Sequence, residues 1–259
     1  MAFYDLSKSE RTDRVQAIRG EIMDALKGRN FQKAHLFFAD DDTYIRKSAY
    51  LVTGRLYFEE VALQSAILTL LFQFLSDPDF KVRQTVINAA GEIGMQDFEE
   101  VRFYFDEGLK DPHHSPRNAV IGSVKKMGEV NPKPVLAWAR EYLHHENKEI
   151  RREICHGIEL RGRKHPEDIL PLLQELQHDR TARVRNTLVH VIGQIAYKKG
   201  CLLKVLAHLK DWENPPLVDA ALEEIIDVHH RYRNFAALTQ AEAIEIIDAH
   251  YPDRKRKSG

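Results

Sequence analysis

The sequence is poor in cysteine and has no strong excess of charge of either sign. Cys155 and Cys201 are the only two cysteines of its 259 residues. Two cysteines are too few for a disulfide framework or a thiolate zinc site, so we expect buried free thiols. The formal net charge is −1, with 43% hydrophobic and 30% charged residues, a composition typical of a soluble globular protein with a substantial core.

Long apolar runs are also missing. The longest candidate, from Leu63 to Leu75, is interrupted by Gln64, Ser65, Thr69 and Gln73, and it is shorter than the ~20 residues that cross a bilayer. The N-terminal stretch MAFYDLSKSERTDR becomes charged within a few residues and has no apolar signal segment. The sequence therefore predicts a cytoplasmic protein with no membrane association.

An arginine that follows a turn and begins an apolar helix recurs along the chain. It occurs in DPDFKVRQTVINAAGEIG, SPRNAVIGSVKKMG, EIRREICHGIELRG and RVRNTLVHVIGQIA, as Arg83, Arg117, Arg151 and Arg185, each 34 residues after the previous one. An earlier copy, YIRKSAYLVTGRL, places Arg46 37 residues before Arg83, and one more step of 34 reaches Asp219. A fixed period of this length predicts a repeat architecture.

Each repeat is predicted to contain two helices and no strand. The segments before the turns, such as DFEEVRFYFDEGLKD and PEDILPLLQELQHD, carry apolar residues at helical spacing, which predicts a helix A, a tight turn and a helix B. Asp97 and Glu100 match a capping box. Glycines eight positions after the reference arginine, at Gly54, Gly91 and Gly193, indicate close contact between helices, because glycine is otherwise costly in a helix.

The turns before helices B are acidic. They carry Asp42, Asp77, Asp111 and Asp179, so arginines at the start of helix B can donate to carboxylates or helix-end carbonyls of their own or the next repeat. We therefore interpret Arg46, Arg83, Arg117, Arg151 and Arg185 as a structural arginine row. The alternative is a stripe of arginines that faces a ligand.

The stretches DPDFKVRQTVINAAGEIG and HDRTARVRNTLVHVIGQIA resemble HEAT repeats of the short HEAT-like kind. The likeness covers about residues 31–228 and is weaker over Asp111–Gly128, where Ser115-Pro116 departs from the pattern. It implies an all-α fold, an α-α superhelix or HEAT-like repeat solenoid of the armadillo-like kind, with about six helical pairs. Helices B would line a concave groove, along which such families bind proteins or nucleic acids.

The resemblance sets the expected domain organisation. We predict one solenoid domain over residues 1–259, in which 1–30 hold an N-terminal capping helix at 8–29 and 31–228 hold the helical pairs. Residues 229–250 hold a C-terminal capping helix at 239–250, and 251–259 form a disordered basic tail containing Arg254, Lys255, Arg256 and Lys257.

A narrower resemblance lies in the later repeats. Residues 165–212, from HPEDILPLLQELQHD to KVLAHLKDW, are similar to the C-terminal repeats of HEAT-like alkylpurine DNA glycosylases, which cradle damaged duplex DNA. Those enzymes use tryptophans, an arginine and an acidic residue, and their tryptophan–tryptophan–aspartate cluster has no counterpart here. We expect Trp138 to pack against a helix B and Trp212 to cover the end of a repeat, so no catalytic role is transferred.

Charge differs along the chain. Residues 36–110 hold 7 basic and 13 acidic side chains, a net −6, whereas residues 140–205 hold 13 basic and 9 acidic ones, a net +4. The basic later part could dock a polyanion or an acidic partner, although ordinary solvated surface charge gives the same counts.

Candidate partner-binding residues follow from helical spacing. Positions one and five after the reference arginines share a face of helix B. They give Gln84, Asn88, Asn118, Arg152, His156, Asn186 and His190, hereafter the polar row. Amide, imidazole and guanidinium groups can contact phosphates, carboxylates or peptide groups, and the same residues also occur in a solvated groove.

No pattern predicts a catalytic, cofactor-binding or metal-binding residue. The pairs His113-His114, His144-His145 and His229-His230 lack the i, i+4 spacing of a helical metal site, and Glu153 and Glu159 do not stand out as an acid–base pair. The sequence therefore favours a non-catalytic scaffold that binds a protein along its groove. The alternative is a nucleic-acid-binding relative of the DNA-repair glycosylases, and a chromophore-lyase-like accessory role is a third possibility by analogy.

Overall fold

A computed structural model describes residues 3–253, and its regular structure is helical. No strand occurs over those residues, and two short 3-10 helices lie at Phe3–Asp5 and Val61–Leu63. The α-helices are α1 (Lys8–Lys27), α2 (Gln32–Ala39), α3 (Thr43–Glu59), α4 (Gln64–Leu75), α5 (Phe80–Gly94), α6 (Phe98–Gly108), α7 (His114–Val130), α8 (Pro132–Tyr142), α9 (Lys148–Gly157), α10 (Glu159–Gly162), α11 (Pro166–Gln174), α12 (Ala182–Ala196), α13 (Leu202–Leu209), α14 (Pro215–Arg231) and α15 (Gln240–His250). The predicted all-α class is confirmed. The basic tail, Arg254 to Lys257, lies outside the described residues.

The chain divides into two compact units, whose described parts are residues 3–135 and 136–253. In the first unit, helices A are α2, α4 and α6, and helices B are α3, α5 and α7, with α3 packed on α5 and α5 on α7. In the second unit, α12 packs on both α9 and α14, while α11 and α13 serve as helices A. The expectation of one domain with a capping helix at each end stays a prediction.

The apolar side chains buried along α5 show why a helix B packs against its neighbours. Val82, Val86, Ala89, Ala90 and Ile93 have no solvent exposure, and their spacing places them on one face of the helix. The Asp79 side chain accepts from the Lys81 backbone N–H at 2.8 Å and caps the helix start, which satisfies one of the N–H groups that have no partner within the helix.

The predicted close contacts at the glycines are confirmed. A Cβ on Gly91 would lie 2.4 Å from Ser123 Oγ, and one on Gly54 would lie 2.4 Å from Glu92 Cβ. A Cβ on Gly193 would lie 2.7 Å from Glu224 Cγ. Glycine therefore lets consecutive helices B approach each other.

The capping box at Asp97 is wrong: Asp97 precedes α6 but makes no side-chain capping bond, and its carboxylate instead accepts from the Tyr57 hydroxyl at 3.4 Å. Cys155 and Cys201 are buried and free, as expected. Within residues 3–253 no single helix has the length and apolarity to span a membrane, although α3 and Val61–Leu75, bent by 116°, pass such a test as a pair by length and composition.

Candidate interaction surface on helices B

Two members of the structural arginine row make paired bonds to an aspartate. Arg83 donates from Nε to Asp111 Oδ2 at 2.7 Å and from Nη2 to Oδ1 at 3.0 Å, while Nη1 donates to the carbonyl of Asp77 at 2.7 Å. Arg151 repeats this arrangement with Asp179, at 2.5 and 3.1 Å. Each guanidinium therefore joins the turn before its own helix to the acidic turn of the next repeat.

The two aspartates are nearly buried and remain ionised. The side chain of Asp111 is 8% exposed and that of Asp179 is 5% exposed. Burial alone would raise the pKa of either carboxyl, but bonds from the arginine and from a backbone N–H outweigh burial and hold the pKa below its ordinary value. The Coulomb attraction of the arginine acts in the same direction.

The remaining members of the row bind carbonyls of their own turn. Arg46 donates to the carbonyls of Asp40 and Asp41, Arg117 to that of Asp111 at 2.6 Å, and Arg185 to that of Asp179 at 2.6 Å. These bonds satisfy carbonyls of the turns, which lie outside the regular hydrogen bonds of a helix.

The first unit places its part of the polar row at the surface of two helices. Gln84 and Asn88 are half-buried on α5, and Asn118 is exposed on α7. Gly122, four residues after Asn118, is exposed, and a Cβ there would meet nothing within 4 Å. This stretch of α7 is therefore open to a contacting group.

In the second unit Arg152 belongs to an ion-pair network. It donates to Glu149 at 2.9 Å and to Glu153 at 3.3 Å, and Glu149 also pairs with Arg183 at 3.2 Å. Burial would raise the pKa of Glu149, but the bond from Arg152 and the nearby cations lower it overall. Because the Glu153 side chain is only 2% exposed, Arg152 also stabilises a buried carboxylate. Asn186 is exposed on α12.

The structure brings together His156 and His190, with ring centroids 6.1 Å apart. His156 Nε2 lies 3.2 Å from Glu159 Oε2, and Arg163 donates to the other oxygen of the same carboxylate. One ligand atom each from His156, Glu159 and His190 lie within 4.8 Å of one another, so these three residues could hold a metal ion.

Two buried carboxylates, one in this cluster and one beside it, do not stand out in the sequence. Glu153 and Glu159 are 2% and 1% exposed, whereas isolated helical glutamates are ordinarily exposed. The available signal was spacing: Glu159 follows His156 by three positions and precedes Arg163 by four, so all three side chains can meet on one helical face.

Most arginines in the basic later region are already paired with carboxylates. Those with a carboxylate oxygen within 4 Å are Arg140, Arg151, Arg152, Arg161, Arg163 and Arg183. These six arginines, among the 13 basic side chains of residues 140–205, therefore already have a carboxylate partner, and the count of basic side chains overstates the number of unpaired cations that a ligand could meet.

Both tryptophans lie in the core of the second unit. Trp138 is 1% exposed and Trp212 is 6% exposed. Trp138 contacts Tyr142 at a centroid distance of 5.1 Å, and Trp212 contacts His208 at 6.4 Å. Neither indole face is free to stack on a nucleic-acid base.

Comparison with solved structures identifies the fold, while no protein-family model and no curated protein matches the chain. It is similar to AlkD2 from Streptococcus mutans, with 18% identity, a TM-score of 0.53, and coverage of 82% of this chain and 100% of that one. The HEAT-like repeats protein of Thermococcus onnurineus NA1 shows 16% identity and a TM-score of 0.40, covering 95% and 98%. The CpcE–CpcF complex of phycocyanin lyase from Nostoc sp. PCC7120 shows 14% identity and a TM-score of 0.35, with coverage of 96% of this chain and 92% of that one. The chain has the all-α HEAT-like repeat fold.

Proposed function

We propose that this chain is a non-catalytic HEAT-like repeat scaffold of the cytoplasm that binds a protein partner through the polar row on helices B. The supporting observation is the pairing of the arginines in the second unit. Because carboxylates pair with these arginines, the polar row offers amide and imidazole groups more than strong cationic charge. Such groups suit peptide backbones and polar side chains.

Asn118 and Asn186 are the most direct candidates for contact. Both are exposed and occupy equivalent positions in their repeats, one residue after Arg117 and Arg185. Each of those arginines is held by a turn carbonyl, so the asparagines extend from anchored ends of helices. A preorganised polar group loses little conformational freedom on binding.

Nucleic-acid binding is the alternative function, and the resemblance of residues 165–212 to DNA glycosylase repeats favours it. Phosphate contacts require cations that a duplex can reach. Six arginines of residues 140–205 carry carboxylate partners, as described above, and the two tryptophans are buried. The alternative therefore ranks second.

The test replaces the two exposed asparagines in the full chain. Asn118→Glu and Asn186→Glu place charge on the row, while Lys210→Glu, exposed at the end of α13, is a matched control. Quantitative affinity capture should recover a partner with the wild type and with Lys210→Glu, and lose it with both asparagine variants. Partner binding that is equal in all four proteins would contradict the proposed surface.

The nucleic-acid alternative has its own measurement. Fluorescence anisotropy with duplex DNA over a salt series should show no binding at low salt if the protein-binding proposal is correct. Binding that weakens steeply with salt would instead favour phosphate contacts, and release of bases from alkylated DNA would show that the chain is an enzyme.

A further inference from the structure

The second unit holds a cluster of side chains that could bind a metal, and it overlaps the polar row at His156 and His190 but does not include the two contact asparagines. His156 lies in the last turn of α9, Glu159 begins α10, and His190 lies on α12. One ligand atom from each of the three lies within 4.8 Å of the others. We propose that His156, Glu159 and His190 form a zinc site.

The donor set fits zinc. Two imidazole nitrogens and one carboxylate oxygen are ligands that Zn²⁺ prefers, with bonds of about 2.0–2.2 Å. Ligand atoms around a tetrahedral zinc ion are therefore about 3.4 Å apart, and the His156 Nε2–Glu159 Oε2 distance is already 3.2 Å. The separations that involve His190 are at most 4.8 Å, so the site closes when the His190 ring approaches the other two ligands.

Surrounding groups hold the carboxylate in place. Glu159 is 1% exposed, and Arg163 donates to its Oε1, which leaves Oε2 beside His156. Arg163 also donates to Gln194 Oε1 at 3.0 Å, so the guanidinium is itself anchored to α12. A ligand fixed in this way pays little entropy on metal binding.

The repeat supplies the second histidine and an outer partner for it. His190 follows His156 by 34 residues, and Glu224 follows His190 by 34, so stacking of α9, α12 and α14 aligns the three positions. Glu224 Oε1 lies 3.6 Å from His190 Nδ1 and can orient that ring, as carboxylates do for histidine ligands of zinc.

The site is open to solvent on one side. The His156 side chain is 33% exposed and that of His190 is 40% exposed. Three protein ligands leave one position of a tetrahedral ion for water or for an anionic group of a ligand. Zinc would also link α9 and α10 to α12, and so raise the melting temperature of the second unit.

Zinc titration of the full, tag-free chain after chelator treatment tests the proposal. Calorimetry with ZnCl₂ and a competing chelator should give one zinc ion per chain. His156→Ala and His190→Ala should each lower the affinity at least ~10-fold, since even second-shell losses cost about 10–100-fold. His144→Ala is the matched control, because His144 also pairs with a glutamate, Glu175 at 2.9 Å, and should bind like the wild type.

Two further readouts keep the result unambiguous. Each protein is compared with its own melting temperature in chelator: added zinc should raise that temperature for the wild type and His144→Ala, and leave it unchanged for His156→Ala and His190→Ala. If an alanine variant fails to fold, His190→Asn is used in its place. The visible absorption of Co²⁺ bound to His190→Asn should then differ from that of Co²⁺ bound to the wild type. Equal zinc affinity in the ligand and control variants would overturn the site. Because these measurements need no partner, their outcome is independent of the proposed function.

Discussion

Each of the two units contains an arginine–aspartate pair of the same geometry, but different side chains surround the two pairs. Arg83 with Asp111 and Arg151 with Asp179 have matching geometry, each pair 28 residues apart. At the fifth position after the reference arginine, however, the first unit carries Asn88 and then Gly122, whereas the second carries His156 and His190.

The exposed apolar residues differ as well. Helices A of the first unit expose Phe72 by 62% and Phe103 by 48%, and their rings stack with centroids 6.1 Å apart. The second unit instead concentrates ion pairs around Glu149, Glu153 and Glu159. Constant anchoring residues therefore allow the remaining positions to diversify without changing the fold, which is how repeat proteins acquire different surfaces.

The largest expected effect comes from removing an anchoring arginine. Arg83→Ala and Arg151→Ala should each destabilise the protein by about 3 kcal/mol, because a nearly buried carboxylate loses its charged partner. Urea denaturation measures the change. Arg185→Ala, which breaks a bond to a carbonyl, should cost only about 1 kcal/mol. Equal losses for Arg151→Ala and Arg185→Ala would show that the paired bonds carry no special weight.

Smaller changes in the free energy of unfolding are expected from alanine substitutions at two glycines of the first unit, and the two changes should have opposite signs. Gly91→Ala should destabilise by about 1–3 kcal/mol, since its Cβ would overlap Ser123. Gly122→Ala should stabilise by about 0.5–1 kcal/mol, because the site is open and alanine favours the helix. Melting temperatures of the two variants should therefore move in opposite directions. A destabilised Gly122→Ala would contradict the open surface on α7.

The smallest effect concerns pH. Asp111 and Asp179 have folded-state pKa values below their ordinary value, so their stabilisation is complete above the unfolded pKa of about 4 and is lost as pH falls through the folded pKa. Stability curves between neutral and acidic pH should therefore be less steep for Asp111→Asn and Asp179→Asn than for the wild type. Parallel curves would indicate that other carboxyl groups determine acid unfolding.

The sequence predicted the elements that depend on a regular period. The spacing of Val82, Val86 and Ile93 predicts α5. The glycines predict close contacts between helices, because glycine is unfavourable within a helix unless a neighbouring helix leaves no room for a side chain. The HEAT-like fold followed from the same repeats and is confirmed.

The parts that were missed depend on tertiary contacts. The segment EIRREICHGIELRG keeps its apolar period throughout, yet the helix breaks at Ile158, between α9 and α10. Glu159 is buried only because Arg163 and His156 meet it, and a single helical pattern does not show such a meeting. Asp97 makes no side-chain cap, and its carboxylate accepts instead from a tyrosine of another helix, a contact that sequence spacing does not show. The roles of the polar row and the arginine row stay predictions, which the variants above test.

The 28-residue separation within each arginine–aspartate pair limits how the length of this chain can change. Excision or duplication of one whole 34-residue segment keeps a donor and an acceptor at the correct distance along the chain. A change of a few residues between Arg151 and Asp179 would misplace one of them. Length variation in related genes should therefore occur in complete modules, with shorter insertions confined to segments outside these pairs.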